Sequence, residues 1–196
     1  MTFTRTAIPD VILIDPIVHG DERGYFAETF RADKLEAFLG FQVPFCQDNE
    51  SKSSYGVLRG LHYQLPPFAQ TKLVRVIEGE VLDVAVDIRK GSPTFGQHIT
   101  VRLSGENKRQ LFIPRGFAHG FIVLSETCTF AYKVDNYYSP QCDRGIAFDD
   151  PALNINWIAE RSKLQLSSKD TKQPLFQEAD YFDFSENLYT LKGTRV

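Results

Sequence analysis

Short apolar runs of strand length recur along the whole chain. VILI (11–14), GYFAETF (24–30), VLRGLHYQ (57–64), TKLVRVIEGEVLDVAVDI (71–88), HITVRL (98–103), RQLFIP (109–114), GFIVLS (120–125) and CTFAYKVDNYY (128–138) are rich in Val, Ile, Phe and Tyr. They are bounded by Gly, Pro, Asn and Ser, the punctuation of a β protein. IEGEV reads as a tight hairpin turn at Glu78-Gly79. One helix is predicted over 31–39, where Leu35, Phe38 and Leu39 form a short apolar stripe, and a weaker helical segment over 158–165. There is no internal repeat and no low-complexity linker. Many short strands at regular spacing predict an all-β jelly-roll barrel or sandwich with a few short peripheral helices.

Alternation sorts the faces. In VLDVAVDI, Leu82, Val84, Val86 and Ile88 fall on one side of the strand, and Asp83, Ala85 and Asp87 on the other. The acidic side meets either solvent or a wet barrel interior. In VLRGLHYQ the same rule puts Arg59 and His62 on opposite faces, because they stand three positions apart. Gly60 lies between, and a glycine inside a strand often marks a bulge or a close backbone approach. A bulge there brings both polar heads to one side; an unbulged strand keeps them apart.

Length and charge narrow the class. A chain of 196 residues with 42% hydrophobic and 24% charged residues fits one globular domain. A net charge of −3 gives no basic stripe for nucleic acid. No apolar stretch approaches the roughly 18 residues of a membrane-spanning helix, and the N-terminal run is too short and acidic for a secretory signal. These features lead to the expectation of a cytoplasmic protein without nucleic-acid or membrane partners. Three widely spaced cysteines, Cys46, Cys128 and Cys142, suit neither a disulfide framework nor a structural zinc site. Cys128 reads as a core residue and Cys142 as a loop residue.

The candidate chemistry centres on His62. A metal-binding barrel would place a second histidine two residues on, and here that position is Gln64. PRGFAH (114–119) supplies His119 without its partners, too few donors for a metal. As a general base, an imidazole needs a carboxylate to orient it and a cation to stabilise developing negative charge. Arg59, Lys72 and Arg75 are nearby cations, and Asp83 and Asp170 are candidate carboxylates. The sequence does not pair His62 with either acid. Taken alone, Tyr132 equally fits a core aromatic, Lys72 a solvated strand edge and Asp170 a turn cap.

A series of segments resembles the dTDP-4-dehydrorhamnose 3,5-epimerase family, a metal-free branch of the cupins. The segments are IPDVILIDPIVHGDERGYFAETF (8–30), QDNESKS (47–53), GVLRGLHYQ (56–64), KLVRVIEGEVLDVAVDIRKGSPTFGQ (72–97), LSGENKRQLFIPRGFAHGF (103–121), YKVDNYYSP (132–140) and LSSKD (166–170). The similarity covers roughly residues 5–180. It implies a cupin-type jelly roll over residues 1–185 as one epimerase domain, with 186–196 as a C-terminal tail expected to be disordered. By position, His62 matches the family's base, Asp170 its carboxylate partner, Tyr132 the acid across the sugar ring and Lys72 the cation near the C4 oxygen. Arg59 and His119 match ligand-binding positions, Gln47 and Asn49 match nucleotide or sugar contacts, and Tyr138 matches an aromatic that stacks near the base. Asp143 falls where relatives often carry a carboxylate. Arg23, Phe26 and Glu28 match a segment that reaches the nucleotide from the partner subunit. His19 and His98 depart from the family pattern and are assigned structural roles.

The resemblance implies a homodimer, a dTDP-4-keto-6-deoxy sugar substrate, and no metal or other cofactor. A ketone at C4 acidifies the C–H bonds at C3 and C5, which suits a base, an enolate-holding cation and an opposed acid. A mono-epimerase acting at C3 or C5 alone, and a non-catalytic sugar-nucleotide-binding barrel, remain open alternatives.

Overall fold

Two antiparallel sheets face each other in the computed structural model, which describes residues 1–190. One has six strands in the spatial order Thr2–Arg5, Ile12–Asp15, Gln110–Ile113, Lys72–Glu78, Thr127–Val134 and Gln47–Ser54. The other has five, in the order His98–Ser104, Glu80–Asp87, Phe117–Val123, Leu58–Gln64 and Asp143–Gly145. A separate hairpin pairs Val18–Asp21 with Gly24–Ala27. This is the expected all-β jelly-roll sandwich.

The strand periodicity builds three apolar layers. Between the sheets, Val74, Val76, Leu111 and Phe130 of the six-stranded sheet meet Val81, Ala85 and Phe121 of the five-stranded one. Leu82, Val84, Val86 and Ile88 point the other way, where Trp157, Phe176, Phe182 and Leu188 of the C-terminal segment cover them. Helix Ala32–Leu39 lays Leu35 over Ile12, Ile14 and Phe112 on the outside of the larger sheet. Asp83 and Asp87 are fully buried. The acidic side of that strand therefore faces the interior, not solvent. Asp87 is satisfied there by Arg89, Ser92 and Thr94.

The structure changes several expectations. Strands Lys72–Glu78 and Glu80–Asp87 are not a hairpin; they belong to different sheets, and Gly79 turns the chain from one to the other. A Cβ at Gly79 would lie 2.1 Å from the Thr127 carbonyl oxygen, so the corner needs glycine. The segment predicted over 158–165 contains only a 3₁₀ turn at Arg161–Lys163. Strand Gln47–Ser54 was not legible in the sequence. It is an edge strand whose inward positions, Asn49 among them, border a polar cavity, so no apolar alternation marks it. Residues 186–190 do not form a loose tail. Leu188 is buried, its carbonyl accepts a hydrogen bond from Arg115, and the Tyr189 hydroxyl bonds Thr71. The remainder of the predicted tail, 191–196, lies outside the described residues.

Candidate active site

The bulge predicted at Gly60 is present. His119 pairs with His62 and Phe121 with Arg59, so two steps on one strand span three on the other. Gly60 takes φ +137°, and a Cβ on it would approach Gly120 Cα to 2.5 Å. Only glycine allows that approach. The extra residue turns Arg59 and His62 to the same side, and both line a cavity of about 590 Å³ between the sheets.

Each sheet supplies one wall. Arg59, His62 and His119 come from the five-stranded sheet, and Asn49, Lys72 and Tyr132 from the six-stranded one. Ser167 and Asp170 enter from the C-terminal segment. That segment is tied to the sheet by backbone bonds from Leu58 to the Gln165 carbonyl and from Gln165 to the Gly56 carbonyl. Gly56, at φ +78°, allows the contact, since a Cβ there would meet the Lys163 carbonyl oxygen at 2.2 Å.

Two His–Asp pairs result. His62 Nε2 lies 2.5 Å from Asp170 Oδ1. A carboxylate only accepts, so Nε2 holds the proton and Nδ1 is the basic nitrogen. The Ser167 hydroxyl donates to the other Asp170 oxygen at 2.6 Å and accepts from the Asp170 amide. Burial pushes the Asp170 pKa up, but the bonds from His62 and Ser167 outweigh it and leave it below the ordinary carboxylate value. His119 Nε2 lies 3.0 and 3.1 Å from the two oxygens of Asp83. Burial of His119 lowers its pKa despite the opposing pull of Asp83, so that ring stays neutral at ordinary pH.

The remaining groups complement this arrangement. Lys72 Nζ sits 3.5 Å from the His62 carbonyl oxygen. Burial brings its pKa down to about 8, only partly countered by Asp83 and Asp143. Burial also raises the Tyr132 pKa, with Arg59 opposing, so the phenol keeps its proton at neutral pH. The Arg59 guanidinium is steadied by the Ser53 hydroxyl. Among the described residues no three His, Cys, Asp or Glu side chains converge as metal ligands.

Not every predicted residue reaches the cavity. Gln47 donates to Asn49 at 2.7 Å from the start of the edge strand. Tyr138 is largely exposed; its hydroxyl donates to Asp143, which also pairs with Lys169. Arg23, Phe26 and Glu28 lie elsewhere. Arg23 pairs with Asp21 on the exposed hairpin, Phe26 is 70% exposed, and Glu28 pairs with Arg31 and Lys34. None of the three lines the cavity of its own chain. Sequence reasoning missed Ser167 as the anchor of Asp170, Ser53 as the anchor of Arg59, and Lys169 beside Asp143. It named Asp83 without its partner, His119. The spacing in LSSKD could have suggested Ser167, since a serine three residues before an acid often closes a local turn.

A sequence profile of the dTDP-4-dehydrorhamnose 3,5-epimerase family matches residues 5–178. The chain is 56% identical over 182 residues to the dTDP-4-dehydrorhamnose 3,5-epimerase of Shigella flexneri, covering 93% of this chain and 99% of that one. The crystal structure of dTDP-6-deoxy-D-glucose-3,5-epimerase from Legionella pneumophila, in complex with dTDP-4-keto-L-rhamnose, superposes with a TM-score of 0.90 at 49% identity, over 94% of this chain and 99% of that one. The dTDP-4-dehydrorhamnose 3,5-epimerase structure from Elizabethkingia anophelis gives 0.89, also at 49% identity, over 92% and 99%. Matched by the family profile over most of its length and by these relatives over nearly all of theirs, the chain belongs to the dTDP-4-dehydrorhamnose 3,5-epimerase family.

Proposed function

We propose that the protein converts dTDP-4-dehydro-6-deoxy-D-glucose to dTDP-4-dehydro-L-rhamnose by inverting C3 and C5 of the sugar. The observation that carries this reading is the His62–Asp170 pair, set across one cavity from Tyr132 on the opposite sheet. His62 takes the proton from carbon at Nδ1. The C–H electron pair moves into the ring, and the C4 carbonyl becomes an enolate. Asp170 stabilises the imidazolium that forms. Lys72 holds the enolate oxygen; a donor fixed in such a site is worth roughly 3–4 kcal/mol. Tyr132 delivers its proton to the opposite face, and the new C–H bond inverts the centre. The tyrosinate then recovers a proton from solvent and the His62 imidazolium releases its proton to solvent, so both groups are reset for the second centre.

Arg59 binds the remote part of the substrate, and His119 is a further ligand-binding residue of the cavity. A planar guanidinium suits pyrophosphate oxygens, and binding energy there positions the reacting ring. Gln47, Asn49, Asp143 and Tyr138 contribute to nucleotide or sugar recognition. The protein works as a cytoplasmic homodimer in which residues 8–30 of one subunit bring Arg23, Phe26 and Glu28 to the site of the other. That none of the three lines the cavity of its own chain, while Phe26 is widely exposed, supports that arrangement.

The test is proton NMR of the substrate with enzyme in D2O, with His62→Ala as control. Deuterium at both C3 and C5, absent with the variant, is the expected result. Label at one carbon alone means a mono-epimerase. No label at either, with dTDP still bound, means a binding barrel.

A further inference from the structure

Gln64 stands two residues after His62, where a metal-binding barrel would carry its second histidine. Its side chain is 4% exposed and takes no place in the cavity lining. Instead it reaches the loop that bears Tyr138. Its Nε2 donates to the carbonyls of Phe68, at 2.7 Å, and Tyr137, at 3.1 Å. Its Oε1 accepts from the Ser139 amide at 2.7 Å. One buried amide thus grips the main chain on both sides of Tyr138. The backbone of the same residue pairs with Asp143, whose carboxylate accepts the Tyr138 hydroxyl at 3.0 Å. Ring direction and hydroxyl position are therefore both referred to position 64.

We infer that Gln64 is a positioning residue for nucleotide recognition, holding the 137–139 loop so that Tyr138 stands ready against the base. The inference rests on the proposed role of Tyr138. A free loop would have to order its backbone on binding, and the buried amide meets that cost in advance. The amide is suited to the task because it donates and accepts at once. A histidine or an apolar residue could not satisfy two carbonyls and an amide N–H together.

The experiment is calorimetric titration of dTDP and of inorganic pyrophosphate into wild type, Tyr138→Ala, Gln64→Met and the double variant. Gln64→Met keeps the volume and removes all three bonds. It is expected to weaken dTDP about tenfold and pyrophosphate hardly at all. In the Tyr138→Ala background it should cost nothing further, because residues acting through one another are not additive. Gln64→Glu, which keeps the shape and the Ser139 bond but sets a carboxylate against two carbonyls, should show the same pattern if the Met variant does not fold. Equal weakening of dTDP and pyrophosphate, or full additivity with Tyr138→Ala, overturns the inference. If Tyr138→Ala itself leaves dTDP binding unchanged, the role of Tyr138 fails instead.

Discussion

His62 Nε2 lies 2.5 Å from Asp170 Oδ1 although the two stand 108 positions apart in the chain. The contact exists because the segment after the Arg161–Lys163 turn runs back alongside the strand that carries His62, pairing Val57 with Gln165. The acid that orients the base thus arrives on a segment that is neither strand nor long helix. Its placement depends on Ser167 and on two backbone bonds.

If this pair is the base and its support, His62→Ala should lower turnover by about 10²–10⁴-fold, the usual weight of general-base catalysis. Asp170→Ala should lose turnover as well. Both variants should bind dTDP within a few-fold of wild type, since neither change touches the proposed pyrophosphate contacts. Steady-state kinetics beside calorimetry will show the split. A near-normal rate for His62→Ala would remove the base from the mechanism.

Tyr132→Phe separates abstraction from delivery. His62 can still remove a proton and return one from the same side, so deuterium exchange with retention should persist. Inversion should fall by about 10²-fold or more. NMR in D2O reads both events in one sample. Loss of exchange and inversion in parallel would contradict the division of labour.

Lys72 sets a pH limit. Burial lowers its pKa to about 8, so the cation is present below that value and is lost as pH rises through it. The kcat/KM of wild type should therefore decline above pH about 8. Lys72→Met should cost about 10²–10³-fold and abolish that alkaline limb, because its residual rate no longer depends on a lysine proton. A limb unchanged in the variant assigns it to another group.

Gly60→Ala tests the bulge. The new Cβ would stand 2.5 Å from Gly120 Cα at a φ of +137°, where non-glycine residues are strained. The expected cost is about 2–4 kcal/mol, with the lower activity that follows from moving His62. Thermal unfolding and turnover should both respond.

The exposed Phe26 tests assembly. Phe26→Asp should shift the protein toward monomer in sedimentation and reduce turnover per subunit. Undiminished activity in a monomer would leave residues 8–30 without a role in the partner's site.

Much of this protein is written in local pattern. Alternation in VLDVAVDI assigned Leu82, Val84, Val86 and Ile88 to one layer, because a strand has a period of two whatever it packs against. Gly60 announced the bulge, since a glycine inside an apolar strand loses packing unless close approach requires it. The resemblance brought His62, Asp170, Tyr132 and Lys72 forward together. Other features had no local signature. Nothing near Gly79 distinguishes a hairpin from a corner between sheets, because that depends on where strands Gln110–Ile113 and Phe117–Val123 come to lie. Strand Gln47–Ser54 was hidden because the cavity it borders is polar. The choice between Asp83 and Asp170 as the partner of His62 was likewise beyond the residues read by themselves, and only the resemblance pointed to Asp170. Both acids are buried, both meet a histidine, and only the packing of distant segments sends one to His119 and the other to His62.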